Sequence, residues 1–523
     1  MEELPQDFHN MVSLRHFYLE DNDQNRKLMP MKIGQLTSLR TLPFFVVGEK
    51  SGHRIEELGS LSKLRGRLHV YDLQQVKDKE EAEKAQILGK SDIQELQFHW
   101  EENLAEPDNN HGDVLEGLKP HQNVKGLILQ NFGGRRWVFW MSRNARVLQK
   151  LVKIELRDCR LCEQVPALGH LPHLAIVRMD GLQNLKRIGP EFYGQDGWII
   201  DNCSASEAAT PRVFPALREL VLCNMPQLEE WSDVSSLPAF ATSTIESFPC
   251  LQRLDIRNCP KLMTIPDAAF YLLMSLRELS IVKCMELTCL PDGVLQPSLE
   301  EIVLEDCPKL KTLDQSDETE ALFNDYSNLH KLQIEDCPEL MCLPDGLLQP
   351  ALLELQLLFC PKLKKPNPDA LRRLKLFFLG IMDCPNRESC WEEGLFCTTN
   401  LQQLSIDYFG EEYGYFPWPS TSTTASPPSS HLTSLEYLCL WGWAEVKSLP
   451  DQLELLPALI LLAISNFSGL ESLPECLGNL SSLKSLEIWS CPLLEKRCEK
   501  GIGEDWHKIA HIPKILIDGR KIQ

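Results

Sequence analysis

A chain of 523 residues with a formal net charge of −21 is too long for one globular core and too acidic for an ordinary nucleic-acid binder. With 43% hydrophobic and 24% charged residues it is composed like a folded chain, so several domains or a repeat array are expected. The acidic start (Glu2, Glu3, Asp7) lacks the apolar run of a signal peptide. The most apolar stretch, 453–464, carries Glu454 and Pro457 and is too short to span a bilayer.

In chain order, irregular copies of one apolar frame begin at Leu14, Leu39, Ile93, Val124 and Leu174. The copy holding Leu68 and Val70 reads as lacking its first leucine, with Arg65 in that place. Residues 76–91 interrupt the frame as a helical insertion. A helix over Val76 to Leu88 would put Ala82, Ala85 and Leu88 on one face, with Asp78 and Glu81 at N-terminal capping spacing. The copy Leu151, Ile154, Leu156, Cys159 is complete.

The pattern is most regular over 214–409. Leu251, Leu254, Ile256 and Cys259 are followed by five further copies, and their cysteines are separated by 25, 23, 30, 23 and 24 residues. Eight of the 19 cysteines fill this slot, so they read as reduced, buried packing residues and not as a disulfide framework. The last full copy is Leu483, Leu486, Ile488 and Cys491, and other residues stand in the slot at Met225, Phe409, Trp443 and Phe467. Insertions are expected at 189–213, at the acidic segment Asp314 to Asp325 and at the Pro/Ser/Thr-rich loop 410–432. Repeats resume over 433–500, and 501–523 reads as a C-terminal cap.

This is the L-x-x-L-x-L-x-x-C core of a leucine-rich repeat. The expected fold is an α/β repeat solenoid, a horseshoe of about 18 irregular units with a concave parallel β-sheet. The L-x-L alternation makes a short strand whose leucines point inward. The proline after each slot cysteine is expected to end the strand, and the following Lys-Leu-x-x-Leu segment to cover the other side. The first repeats show no polar cap, so an exposed apolar end is expected there.

No phosphate loop, H-E-x-x-H, G-x-S-x-G or kinase motif occurs, so no enzyme and no cofactor is expected. Cys159 and Cys162 have C-x-x-C spacing, but Cys159 fills the repeat slot and no second pair stands nearby, so no metal is assigned. Cys390 and Cys397 read as ordinary thiols, and His99-Trp100 as packing residues. The candidate protein-binding residues are the outward strand positions: Arg253, Asp255, Arg257, Glu278, Glu301, Glu305, Lys331, Glu335, Glu354, Tyr437, Trp441 and Trp489. Their carboxylate-rich middle points to a basic or mixed-charge protein partner, and their aromatic end to interface anchors. Charge reversal of Glu301, Glu335 and Glu354 together is expected to leave stability nearly unchanged.

Several segments resemble plant intracellular immune receptors of the coiled-coil, nucleotide-binding, leucine-rich-repeat type. They are Ile33-Gly-Gln-Leu-Thr-Ser-Leu-Arg-Thr-Leu-Pro-Phe-Phe-Val-Val-Gly48, Leu64-Arg-Gly-Arg-Leu68, Glu81-Ala-Glu-Lys-Ala85 and Val114-Leu-Glu-Gly-Leu-Lys-Pro-His121. Leu168-Gly-His-Leu-Pro172, Ile188-Gly-Pro-Glu-Phe-Tyr-Gly194 and Gly503-Glu-Asp-Trp-His-Lys-Ile-Ala-His-Ile-Pro513 fit as well. The resemblance implies a sensor and regulatory repeat region that recognises a pathogen effector or a guarded host protein and contacts a nucleotide-binding module in cis or in trans. It also implies a cytoplasmic location, with the nucleus as an alternative. The chain carries no nucleotide-binding motif, and a truncated form lacking that module is the expectation. The alternatives from other classes are a stand-alone adaptor that recruits substrates to a ubiquitin ligase, a decoy protein, and a secreted inhibitor of a pathogen enzyme.

Overall fold

The computed structural model describes residues 5, 7–102, 110–142, 147–194, 212–232, 246–267, 273–291, 293–313, 326–364, 368–371, 373–382, 384, 400–407, 432–442, 446–449 and 451–523. The acidic segment from Asp314 to Asp325, the Pro/Ser/Thr-rich stretch 410–430, Cys390, Cys397, Phe409 and Trp443 lie outside the described residues. The chain divides into two compact units, Met1–Val294 and Leu295–Gln523.

Unit 1 is built on nine parallel strands in chain order: β1 Phe44–Val46, β2 Gly66–Tyr71, β3 Ile93–His99, β4 Gly126–Gln130, β5 Lys153–Arg157, β6 Ile176–Asp180, β7 Glu219–Cys223, β8 Arg253–Arg257 and β9 Glu278–Val282. Unit 2 repeats the plan with β10 Glu301–Glu305, β11 Lys331–Glu335, β12 Glu354–Leu358, β13 Phe378–Met382, β14 Gln403–Asp407, β15 Tyr437–Trp441, β16 Leu461–Ser465, β17 Ser485–Trp489 and β18 Lys514–Ile517. A short antiparallel strand, β19 Arg520–Lys521, closes its end. Both units are leucine-rich-repeat solenoids.

One coil explains the others. Leu251, Leu254, Ile256, Cys259 and Leu262 are completely buried, while Arg257 and Asn258 on the same turn are exposed. No coil could bury these side chains alone; each ladder neighbour covers the next, so stability is shared along the stack. A fully buried leucine contributes about 1.5–3 kcal/mol. The slot thiol lies near the carbonyl two residues before it, 3.2 Å for Cys360 and 3.3 Å for Cys491, and in these two coils it is also 4.0 and 3.7 Å from the Ile334 and Ile464 carbonyls of the preceding coil. It acts as a small apolar residue with a weak donor. All described cysteines are free thiols.

The strands do not end at proline. In nearly every regular coil the residue before the slot adopts the left-handed conformation: Asp158, Asn224, Asn258, Lys283, Asp306, Asp336, Phe359, Asn466 and Ser490 all have φ between 50° and 60°. That single positive φ turns the chain inward two residues before the proline. Asn and Asp dominate because their short polar side chains tolerate this region best.

Other expectations need correction. Leu64 is the buried first leucine of its coil, four residues before Leu68 instead of three; the pairing with β3 shifts register between Gly66 and Arg67, with Gly66 at φ 81°. The insertion helix is shorter than predicted, α1 Lys79–Glu83, followed by a 3-10 turn at Ile87–Gly89. Asp78 does cap it, accepting the Glu81 N–H at 2.8 Å, while Glu81 accepts from the Lys77 N–H at 2.9 Å. Gln86 at φ 50° then breaks the helix, so Ile87 is buried and Leu88 is exposed. The segment after Gly189 opens as a 3-10 turn that buries Phe192 and Tyr193 completely against Phe214, so this part is core and not a polar loop.

At the other end, Asp505 is only 1% exposed and is fully engaged. It accepts the Leu473 N–H at 3.0 Å and pairs with Arg497 and Lys508 at 3.0 and 2.9 Å, while Lys508 also donates to the Leu473 carbonyl at 2.7 Å. Burial pushes the Asp505 carboxyl up, but Arg497, the Leu473 amide and Lys508 outweigh it and hold it below the usual carboxylate value. This network ties the helix α2 Trp506–Ile509 to the neighbouring coil.

Two outcomes are expected. Asn466→Gly leaves the urea midpoint nearly unchanged, whereas Asn466→Val lowers stability by about 1–2 kcal/mol, because a branched side chain resists positive φ. Asp505→Asn destabilises the C-terminal coils by about 1–3 kcal/mol, since it takes the shared carboxylate out of a buried hydrogen-bond network, while Glu504 and Glu475 remain beside Arg497 and Lys508. The Asp505 contribution is present above about pH 4 and is lost as pH falls through its lowered folded value, so the variant has a flatter acid limb in a thermal-melt pH series.

Candidate recognition surface

In each coil the inward leucines alternate with residues that face out of the ladder, and the register stacks these outward residues into columns. In unit 1, Arg253, Asp255 and Arg257 lie along β8, beside Glu278 of β9. Asp255 does not offer a surface contact: its side chain is 5% exposed, held by Arg253 at 3.1 Å and Arg257 at 2.6 Å. Arg253 also reaches Glu278 at 3.1 Å. A side chain at the middle of a five-residue strand is flanked by longer ones on both sides, and two arginines close over a short aspartate. Asp255 is therefore a positioning residue for two exposed guanidinium groups.

Strand β5 repeats the device. Glu155 is 1% exposed, pairs with Lys153 at 2.8 Å, contacts Arg157 and lies 3.4 Å from Arg178 of β6. Burial raises its pKa, but Lys153 and Arg157 overcome this and keep it below the usual carboxylate value. Nearer the N-terminus, Asp21 sits 2.7 Å from His69 Nδ1 and accepts from Tyr71 Oη and Arg26 Nε, both at 2.8 Å. Arg26 lies 3.8 Å from the centre of the Tyr71 ring, which fixes the segment 20–26 onto β2.

In unit 2 the predicted residues fall into two groups. Glu301 and Lys331 are paired at 2.6 Å, and Glu354 stands beside Lys331 in register. Changing Glu301 to lysine would therefore break a pair and oppose two like charges, so the expectation of an indifferent triple substitution is corrected. Glu305 and Glu335 are direct register partners, followed by Asp306 and Asp336. Burial, then Glu305 and Asp336, raise the pKa of Glu335. This is the concentrated negative spot of the ladder, smaller than the Glu278–Glu354 run suggested.

Beyond it the outward face changes character. Tyr437, Trp441 and Trp489 are exposed at 37%, 41% and 39%. Trp441 and Trp489 flank Ser465 in one column, two strands or about 9–10 Å apart. Leu353 and Phe377, consecutive along the strand-entry edge, are also exposed. Sequence reasoning missed these two because they lie one residue after the first leucine of the frame, outside the strand itself. Reading that position as a column would have found them.

The described residues contain no group of three or more His, Cys, Asp or Glu that could hold a metal, and no helix long and apolar enough to cross a membrane. Cys159 and Cys162 are both buried, and the Cys162 thiol donates to the Gly134 carbonyl at 3.1 Å.

Residues 55–182 match the family described as R13L1/DRL21 leucine-rich repeats. A putative disease resistance RPP13-like protein 1 of Arabidopsis thaliana is 31% identical over 355 residues, covering 65% of this chain and 29% of the relative. Putative disease resistance proteins RGA1 and RGA4 of Solanum bulbocastanum are 30% and 32% identical, over 61% and 44% of this chain and 28% and 21% of theirs. The chain thus spans less than a third of the length of these relatives. The chain is therefore similar to part of several plant disease resistance proteins, and residues 55–182 match a leucine-rich-repeat family.

Proposed function

We propose that this chain is a non-catalytic recognition surface in plant defence, binding a pathogen effector or a host protein that effectors modify. The observation that carries this reading is the outward face of unit 2. Exposed Tyr437, Trp441 and Trp489 lie further along the same ladder from a spot of like-charged carboxylates, Glu305 and Glu335, and the exposed edge residues Leu353 and Phe377 belong to the coils between. Large exposed aromatics beside charge are common anchors of protein interfaces. The names of the relatives support the setting, because all three are disease resistance proteins. The assigned roles are aromatic anchoring by Tyr437, Trp441 and Trp489, and electrostatic selection of a basic partner by Glu305, Glu335 and Glu354. A location in the cytoplasm follows from this reading, and regulation of a nucleotide-binding module belongs to it.

The test is a binding screen of purified effector proteins against residues 1–523 by biolayer interferometry. Trp441→Ala with Trp489→Ala is expected to weaken a positive interaction roughly thirtyfold or more, the loss of about 2 kcal/mol typical of an anchor. The melting temperature should stay within the wild-type range, since both side chains are exposed. Glu335→Lys should weaken binding of a basic partner further and reduce its salt dependence. Unchanged affinity in both variants would remove this face from the account.

A further inference from the structure

We infer that unit 1 carries a second recognition site: a cationic groove along the strand-entry edge that takes an extended, acidic segment of a partner polypeptide. The residue one place after the first leucine of each frame sits at this edge, and backbone hydrogen bonds join these residues from coil to coil. The Arg40 N–H donates to the Arg15 carbonyl, the Arg65 N–H to that of Arg40, and the Arg218 N–H to that of Ala175. In unit 1 six of the ten coils place a cation in this column, Arg15, Arg40, Arg65, Lys125, Arg218 and Arg277, and the other four place uncharged residues there; in unit 2 the column holds one lysine, Lys484, beside acidic and uncharged residues such as Glu300, Leu353 and Phe377. The cations of this column are therefore concentrated in unit 1.

A groove runs along this edge. One part, of about 930 Å³, is lined by Arg65, Arg67, Lys125 and Lys150 with His16 and Tyr18, and Asp92 is its one acidic residue. A second part, of about 480 Å³, shares Lys125 and Lys150 and continues to His173 and Arg218. Arg67 pairs with Glu95 at 2.8 Å, and Lys150 donates to Asn123 at 2.8 Å. Among the described residues no carboxylate lies within ion-pair distance of Arg65, Lys125 or Arg218, and all three side chains are exposed. A chain of net charge −21 that leaves these cations uncompensated in one trough concentrates positive potential where an anion can lie. From β2 to β7 is five strand spacings, about 24 Å, the span of roughly seven residues of extended polypeptide. Overall negative charge disfavours the long-range approach of a nucleic acid, so a short acidic segment is the better match.

The probe is a fluorescein-labelled twelve-residue peptide of alternating glutamate and glycine, titrated with residues 1–523 and followed by anisotropy at low and moderate salt. Binding that weakens as salt rises is expected. Arg65→Gln with Lys125→Gln and Arg218→Gln should weaken it about tenfold or more, with an unaltered circular dichroism spectrum; Lys447→Gln with Lys496→Gln in unit 2 should leave it unchanged. Three results overturn the inference: no binding by the wild-type chain at low salt, equal binding by the unit 1 variant, or preferential binding of a single-stranded oligonucleotide of matched charge.

Discussion

Everything here depends on the inability of one coil to bury its own leucines. A five-residue strand with two inward side chains encloses nothing, so coils are stable only when stacked. Stacking requires every coil to turn inward at the same place, and the left-handed residue before the slot provides that turn. The cysteine behind it is small enough to let the chain close, and its thiol still lies near the carbonyl two residues before it.

The same constraint divides the work of the side chains. Inward residues stabilise, and outward residues stack in columns whose chemistry is free to differ between units. In unit 1 the outward charges are largely matched: carboxylates such as Glu155 and Asp255 lie beneath basic side chains, and what reaches solvent is guanidinium. In unit 2 the carboxylates Glu305 and Glu335 stack on each other and give way to aromatic and apolar residues. A chain of strong net negative charge thus presents faces of different sign and polarity, each fixed to a rigid ladder.

The repeat frame was legible because leucine spacing is a direct consequence of burial with period two. The capping pair Asp78 and Glu81 was legible for a similar reason, since it needs only local spacing. The helix end was not: Gln86 has no intrinsic preference for positive φ, and the coil after it imposes the turn. One extra residue between Leu64 and Leu68 disguised Leu64 as an absent leucine by lengthening its frame. Asp255 was misplaced because alternation tells which side of the strand a residue leaves from, not whether longer neighbours cover it. The edge column was visible in the sequence, but only when aligned coil by coil at a position that the strand pattern does not single out.

The separation of stability from recognition is tested most directly by a saturation scan of β15 and β17, measuring folded abundance and partner binding for every substitution. The account predicts that Leu438, Leu440, Leu486 and Ile488 tolerate few changes in abundance, while Tyr437, Trp441 and Trp489 tolerate most and lose binding instead. Loss of abundance at the outward positions equal to that at the inward ones would mean that the aromatics are structural, and the recognition surface would have to be sought elsewhere on the chain.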